Sequence, residues 1–256
     1  MQFDLISDLH IEHWSHDIEW NGLGTSLVAV VAGDISQDLN LAYNTIVEIS
    51  KHYRHVVYVD GNHEHQGLGG INARRDRIQE MLGKYRNITY LYRNTVVLDS
   101  TAFVGCNGWF SFDFCEPMIS KQECIHHLVD QGKDQGVLFE QWEMAMEDAD
   151  HMANIIGTLN ADDKIKEIVL VTHTVPNRLL TWFPGINNIH QLGIQGSSFL
   201  EALPSKNTRN KIKTWVFGHL HHGTDQVIEG IRYVSNPRGM PKHGNPAIYY
   251  PKFIKS

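Results

Sequence analysis

The stretch SLVAVVAG (26–33) is apolar at nearly every position and ends on a glycine followed at once by Asp34. A run that short, β-branched and without polar alternation reads as a strand covered on both faces. The pattern recurs in FDLIS (3–7), HVVYVDG (55–61), EIVLVTH (167–173) and KTWVFGH (213–219). Strands buried on both faces need layers above and below them. Helical spacing of Leu39, Tyr43, Ile46 and Val47, and of Ile78, Met81, Leu82 and Tyr85, supplies two such covers. The order strand, helix, strand implies an α/β fold with a parallel sheet and right-handed crossovers.

The remaining segments fit around that frame. TVVLDSTAFVGC (95–106) reads as a hairpin turning at Asp99 and Ser100, and residues 225–236 as a second one turning at Glu229 and Gly230. A helix is expected over 136–159, with Leu138, Trp142, Ala145, Ala149, Met152 and Ile156 as its stripe; ordinary core packing accounts for that stripe. AIYY (247–250) reads as a last strand. Residues 176–204, rich in Pro, Gly and Asn, read as a long surface loop with at most short helical turns, and as a place for substrate contacts. Without repeat, low-complexity tract or linker, residues 1–256 read as a single domain.

Composition narrows the function classes. A net charge of −7 argues against a broad basic face that grips nucleic-acid backbone, though it leaves open a nucleic-acid substrate held through cations. Cys106, Cys115 and Cys124 are odd in number and form no CxxC pair, so neither a disulfide framework nor a thiolate zinc site is indicated. Free thiols point to a reducing setting. No apolar run is long enough to span a bilayer, and the first residues lack a signal-peptide pattern, so a cytoplasmic enzyme or binding protein without a membrane partner is expected. Nothing in the sequence indicates an oligomeric state.

The sixteen histidines raise the question of whether they cluster. After the first strand come Asp8 and His10, after the second Asp34, and after the third Asn62, His63 and Glu64. His173 follows the fourth, and His219 and His221 follow the fifth. Carboxyl ends of strands in an open α/β sheet form the ligand crevice, so these groups converge on one rim. In extended chain, residues two apart point the same way, which pairs Asp8 with His10 and His219 with His221. The glycines before Asp34, Asn62 and His219 permit tight turns or close backbone approach. Carboxylate, imidazole and amide oxygen without thiolate suit Mn, Fe, Zn or Ni rather than structural zinc. Asp8, His10, Asp34, Asn62, His173, His219 and His221 are too many ligands for one ion. Two cations about 3.5–4 Å apart clamp the attacking and leaving oxygens of phosphoryl transfer. Each motif alone is weak; all of them in order at successive strand ends are not.

The motifs SDLH, AGDIS, DGNHE, VTH and FGHLH resemble those of the calcineurin-like metallophosphoesterases, over the span Asp8 to His221. WFSFDF and VSNPRG further resemble stretches in a bacterial and phage subgroup. The resemblance implies a four-layer α/β/β/α sandwich with the metal site at the C-terminal ends of the strands. It implies that Asp8, His10, Asp34 and His221 hold one divalent metal ion, and that Asp34, Asn62, His173 and His219 hold the other, with Asp34 bridging. It implies a metal-activated water attacking phosphorus in line, with Asn62 and His63 on the substrate, His63 near the leaving group, and Glu64 behind it. Phosphodiesterase action on a nucleotide or nucleic-acid type of substrate is expected ahead of phosphomonoesterase action on phosphoproteins or small molecules. A non-catalytic scaffold would have lost ligands or His63, and this chain keeps them.

Four residues near the motifs have plainer readings. Asp38 reads as a helix N-cap. His65, His13 and His16 read as loop residues rather than ligands, His65 as exposed ahead of the alternative that it faces the substrate pocket. Arg238 reads equally as a contact for substrate phosphate and as a packing residue. His222 falls outside the pattern that selects His219 and His221. Accordingly His222→Ala should leave metal content and activity within a few-fold of wild type, whereas His219→Ala or His221→Ala should lower both. Elemental analysis of the dialysed variants beside a phosphoesterase assay checks this.

Overall fold

A computed structural model describes residues 1–66, 69–92, 94–181, 188–243 and 248–256. In chain order the elements are β1 (Gln2–Ile6), β2 (Val28–Ala32), α1 (Leu39–Ser50), β3 (His55–Val59), α2 (Ile71–Leu82), β4 (Ile88–Tyr90), β5 (Thr95–Leu98) and β6 (Thr101–Cys106). They continue with α3 (Lys121–Asp130), α4 (Gln135–Ala161), β7 (Glu167–Thr172), α5 (Ser198–Glu201), β8 (Ile212–Phe217), β9 (Asp225–Ile228), β10 (Ile231–Ser235) and β11 (Lys252–Lys255).

Two mixed sheets result, ordered β11-β1-β2-β3-β4 and β5-β6-β7-β8-β10-β9. β1 to β4 run parallel with β11 antiparallel at the edge. β6, β7, β8 and β10 run parallel, with β5 and β9 antiparallel on the two flanks. The period of two sorts the strand residues between faces. Phe3, Leu5, Val28, Val30, Val57 and Val59 meet Phe103, Val169, Val171, Val216 and Val234 between the sheets. Ile6, Ala29, Val31, Val56 and Tyr58 face the other way, onto Ile46 and Ile49 of α1 and Ile78 and Leu82 of α2. On the far sheet Ala102, Val104, Ile168, Leu170 and Trp215 face Ala145, Ala149, Met152 and Ile156 of α4. Three cores separate four layers, helix, sheet, sheet, helix, as expected.

Helix boundaries follow local chemistry. Asp38 caps α1 by accepting from the amides of Asn40 and Leu41, the role read from sequence. Both hairpins turn where expected, and Glu229 and Gly230 both have positive φ, as a type I′ turn requires. Among the described residues no helix is long and apolar enough to cross a membrane.

Three elements differ from the sequence reading. The last strand is β11, not AIYY: residues 248–250 are irregular, Tyr249 spends its hydroxyl on Asn236 and the amide of Ser7, and residue 247 lies outside the described residues. Helix α3 went unread, although Ser120 and Glu123 form a full capping box. β4, three residues long, was too short to show a pattern. The expected loop 176–204 holds short 3₁₀ turns at Arg178–Leu180 and Ile189–Ile194 and the four-residue α5; residues 182–187 lie outside the described residues.

One buried ionic cluster ties the helical layers together. Arg75 of α2 is 1% exposed and pairs both nitrogens of its fork with Asp148 of α4, at 3.0 and 2.6 Å. Its Nε lies 3.7 Å from Asp60, whose carboxylate also accepts from Tyr90 and His65. Removing the cation would leave two buried carboxylates with neutral donors in place of their shared counter-charge. Arg75→Met is expected to destabilise the fold by about 3–5 kcal/mol in chemical denaturation, and adding Asp148→Leu should recover part of that loss.

Candidate metal centre

Five strand ends, those of β1, β2, β3, β7 and β8, deliver the candidate ligands to one rim. Backbone hydrogen bonds stitch the ends together. Asp8 N donates to Gly33 O, His10 N to Asp34 O, and Gly218 N to His173 O. The glycines earn their places by close approach. A Cβ on Gly61 would collide with Asp34 Oδ1, and one on Gly33, where φ is +79°, would sit 2.6 Å from His173 Nδ1.

The chain does not stay extended past the strands, which corrects the alternation argument. Asp8, His10, Asp34 and His219 all have left-handed backbone, with φ of 49°, 43°, 54° and 67°. After Gly218 two tight turns follow, Leu220 N to Gly218 O and His222 N to Leu220 O. Asp8 and His10 therefore meet through bends rather than strand periodicity, as do His219 and His221. Left-handed backbone at non-glycine residues costs of order 1–3 kcal/mol each and gathers at functional sites.

Two groups form, sharing one carboxylate. Asp8, His10, Asp34 and His221 bring ligand atoms within 4.8 Å of one another, and so do Asp34, His173 and His219. Asp34 Oδ1 accepts from the amide of His63 at 2.8 Å. Its Oδ2 faces His173 Nε2 at 3.2 Å, His10 Nε2 at 3.7 Å and His63 Nε2 at 4.0 Å. Asn62 Oδ1 stands 3.1 Å from His173 Nε2 and 2.9 Å from His219 Nδ1. His10 Nε2 and His221 Nε2 stand 2.8 Å apart.

These residues fit divalent cations. Asp8 Oδ1 accepts from the amide of His219, while Asp8 Oδ2 is buried without a hydrogen-bond partner. Such an orphan is costly unless a cation meets it. The far ring nitrogens are already engaged: His173 Nδ1 on Ala32 O at 2.9 Å and His219 Nε2 on Ile194 O at 2.8 Å. That leaves Nε2 of His173 and Nδ1 of His219 turned inward, the orientation outer partners impose on metal-ligating imidazoles.

Burial keeps most of the imidazoles neutral and ready to donate lone pairs. It lowers His10 to about 2, His219 to about 3 and His221 to about 4, and lowers His63 as well. At His173 burial opposes the charged form, but Asp34 and Asp8 outweigh it and raise the group to about 10. Burial also raises Asp8 to about 7. Burial would raise Asp34 too, yet His173 holds it well below the usual carboxylate range.

Glu64 is fully buried behind the rim. Its carboxylate accepts from the amides of Asp34, Ile35, Ser36 and Gly61. Burial and then Asp34 push it up to about 8. His63 is 15% exposed; Gln37 Nε2 donates to its Nδ1 at 3.2 Å, so the ring proton sits on Nε2, facing Asp34.

Other expected positions resolve as follows. Arg238 is 2% exposed, with its guanidinium 4.2 Å over the Trp14 ring, a setting that favours packing over direct phosphate contact. His65 is not an exposed loop residue: its side chain is 3% exposed, bonded to Asp60 Oδ2 at 2.6 Å and edge-on to Trp109. The buried Asp60 carboxylate needs donors, and His65 is one. His222 is exposed. Sequence reasoning passed over Glu12, which clusters with His10 and His63, and it noted the stretch WFSFDF without giving its aromatic pair Trp109 and Phe110, just after β6, a place at the site. CNGWF shows the same glycine-bearing strand end as the ligand motifs, a signal that could have found the pair. Phe110 lies 5.4 Å from the His219 ring. With Ile71, Leu128, Leu138 and Ile194, the two aromatics wall a groove of about 520 Å³ that opens beside Asn62 and His219.

A family model of the calcineurin-like phosphoesterases matches residues 1–223. An uncharacterised protein, L509, of Acanthamoeba polyphaga mimivirus is 23% identical over 269 residues, covering 94% of this chain and 91% of its own. Among solved structures, the phosphopantetheinyl hydrolase PptH of Mycobacterium tuberculosis superposes with a TM-score of 0.76 at 18% identity, over 94% of this chain and 90% of that one.

At neutral pH the raised His173 carries a proton that an incoming cation must displace. Cation affinity should therefore rise between pH 6 and pH 9, by about tenfold per pH unit for each proton released. Titration calorimetry with Mn²⁺ in buffers of different ionisation enthalpy counts those protons.

Proposed function

The chain belongs to the calcineurin-like phosphoesterase family and is a metal-dependent hydrolase of phosphate esters, and from that premise we propose that it acts on phosphodiesters, with a nucleoside-sized apolar or aromatic substituent retained in the groove beside Asn62 and His219. That groove is the observation that carries the reading. A diester keeps a substituent on both sides of phosphorus, and the groove offers room for the second one. Its walls combine Trp109, Phe110 and aliphatic side chains with Asp134, Glu140 and Gln141, and Lys133 is the one Lys or Arg among its described lining residues. Such walls suit an uncharged ring better than a second phosphate. The solved hydrolase with the same fold is named for a phosphopantetheinyl substrate.

Two divalent cations would supply an activated water and charge neutralisation at the phosphoryl oxygens. Asp8, His10, Asp34 and His221 would hold one, and Asp34, Asn62, His173 and His219 the other. Asp34 belongs to both groups, and its position is set by the amide of His63. His63 presents Nε2–H toward the shared carboxylate, where a phosphate would lie. Burial, with His173 and His13 nearby, lowers His63 and favours its neutral form, while an anionic phosphate beside it favours the charged form. His63 then donates to a phosphoryl oxygen and delivers a proton to the departing alkoxide.

The test is a panel assay of the Mn²⁺- or Ni²⁺-loaded protein on an aryl diester, an aryl monoester, cyclic nucleotides, RNA and DNA. Diesters should exceed the monoester in kcat/KM by tenfold or more, and His63→Ala should keep its metal yet lose about 10²–10⁴ in rate, most on poor leaving groups. A faster monoester would overturn the diester reading.

A further inference from the structure

His243 lies beyond the family match, which ends at residue 223, and belongs to none of the metal motifs. Its Nδ1 nonetheless stands 2.7 Å from Nδ1 of His221, with the rings 4.8 Å apart. The two nitrogens of His221 face different ways. Nε2 points into the centre, 2.8 Å from His10 Nε2 and 3.8 Å from Asp8 Oδ1. A neutral imidazole carries one proton. For Nε2 to offer a lone pair to a cation, the proton must sit on Nδ1, and Nδ1–H then needs an acceptor.

We propose that His243 is a positioning residue for the metal centre: its Nδ1 accepts a hydrogen bond from Nδ1–H of His221 and so holds the tautomer and ring orientation in which His221 Nε2 binds a divalent cation. His243 keeps its own proton on Nε2, toward solvent. His173 and His219 are held by backbone carbonyls, Ala32 O and Ile194 O. His221 is held through a side chain on the short turn Pro241–His243. The tautomer of His221 is therefore open to change by substitution, at a position 22 residues from the ligand it serves. Outer partners of this kind are worth about ten- to a hundredfold in metal affinity, and this exposed one belongs at the lower end. The inference rests on the reading of His221 as a ligand.

The experiment uses the full chain, stripped by chelation and titrated with Mn²⁺ by calorimetry and with Co²⁺ by its visible d–d absorption. His243→Ala should weaken one of the two binding steps about tenfold, leave the other in place and alter the Co²⁺ spectrum. His243→Asn, whose Oδ1 takes the place of imidazole Nδ1 as acceptor, should restore most of the affinity. The metal-free variants should melt within a degree or two of wild type, since the residue is exposed. Wild-type affinity for both ions in His243→Ala, or no rescue by Asn, overturns the proposal. His221→Ala reports separately: if it binds both ions as wild type, the assignment of His221 itself falls.

Discussion

Four backbone amides, those of Asp34, Ile35, Ser36 and Gly61, close on the buried carboxylate of Glu64. This one side chain joins the loop after β2 to the loop after β3. It leaves Asp34 no freedom to retreat from the rim, and it sets the turn from which Asn62 and His63 project. The rest of the centre is arranged around that joint. Asp34 Oδ1 takes the amide of His63, Asp34 Oδ2 faces His173, and His173 is fixed from behind by Ala32 O. A buried carboxyl group whose two oxygens accept from four amides is tightly held, and such networks rigidify rather than merely stabilise.

The rim carries costs that the sandwich offsets elsewhere. Four candidate ligands sit in left-handed backbone, and Asp8 keeps a buried oxygen without a protein partner. Those features make little sense as contributions to stability. They make sense as geometry held ready for cations, supported by three apolar cores and by the Arg75–Asp148–Asp60 cluster, which sits directly behind the loops that bear Asn62 and Trp109.

Much of this was legible in the chain. The continuous apolar strands announced a sheet covered on both faces, because strands with one wet face alternate and these do not. The ligand set was legible because metal chemistry restricts the residue types and because every motif follows a strand. Asp38 as a cap was legible from local hydrogen bonding alone. The setting of His65 was not. Its partner Asp60 lies five residues earlier, but what makes the site dry is Arg75 from α2 and Trp109 from the other sheet. The groove was equally silent, since its walls come from the end of β6, from α3 and α4, and from the 3₁₀ turn at Ile194.

By itself the sequence determined the layer architecture and pointed to the candidate metal-binding groups, since both rest on local rules: the period of side chains along a strand, and which atoms can donate to a divalent ion. Only the tertiary structure decided how those groups meet. Asp8 and His10, and His219 and His221, come together through left-handed bends and tight turns rather than strand alternation. It also decided which nitrogen of His173, His219 and His221 faces inward, because that depends on a carbonyl or a ring brought up from a distant segment. The physical reason is range. Propensity and pattern act over a few residues, whereas a tautomer, a buried orphan oxygen or the wall of a groove is set by atoms that are neighbours in space alone.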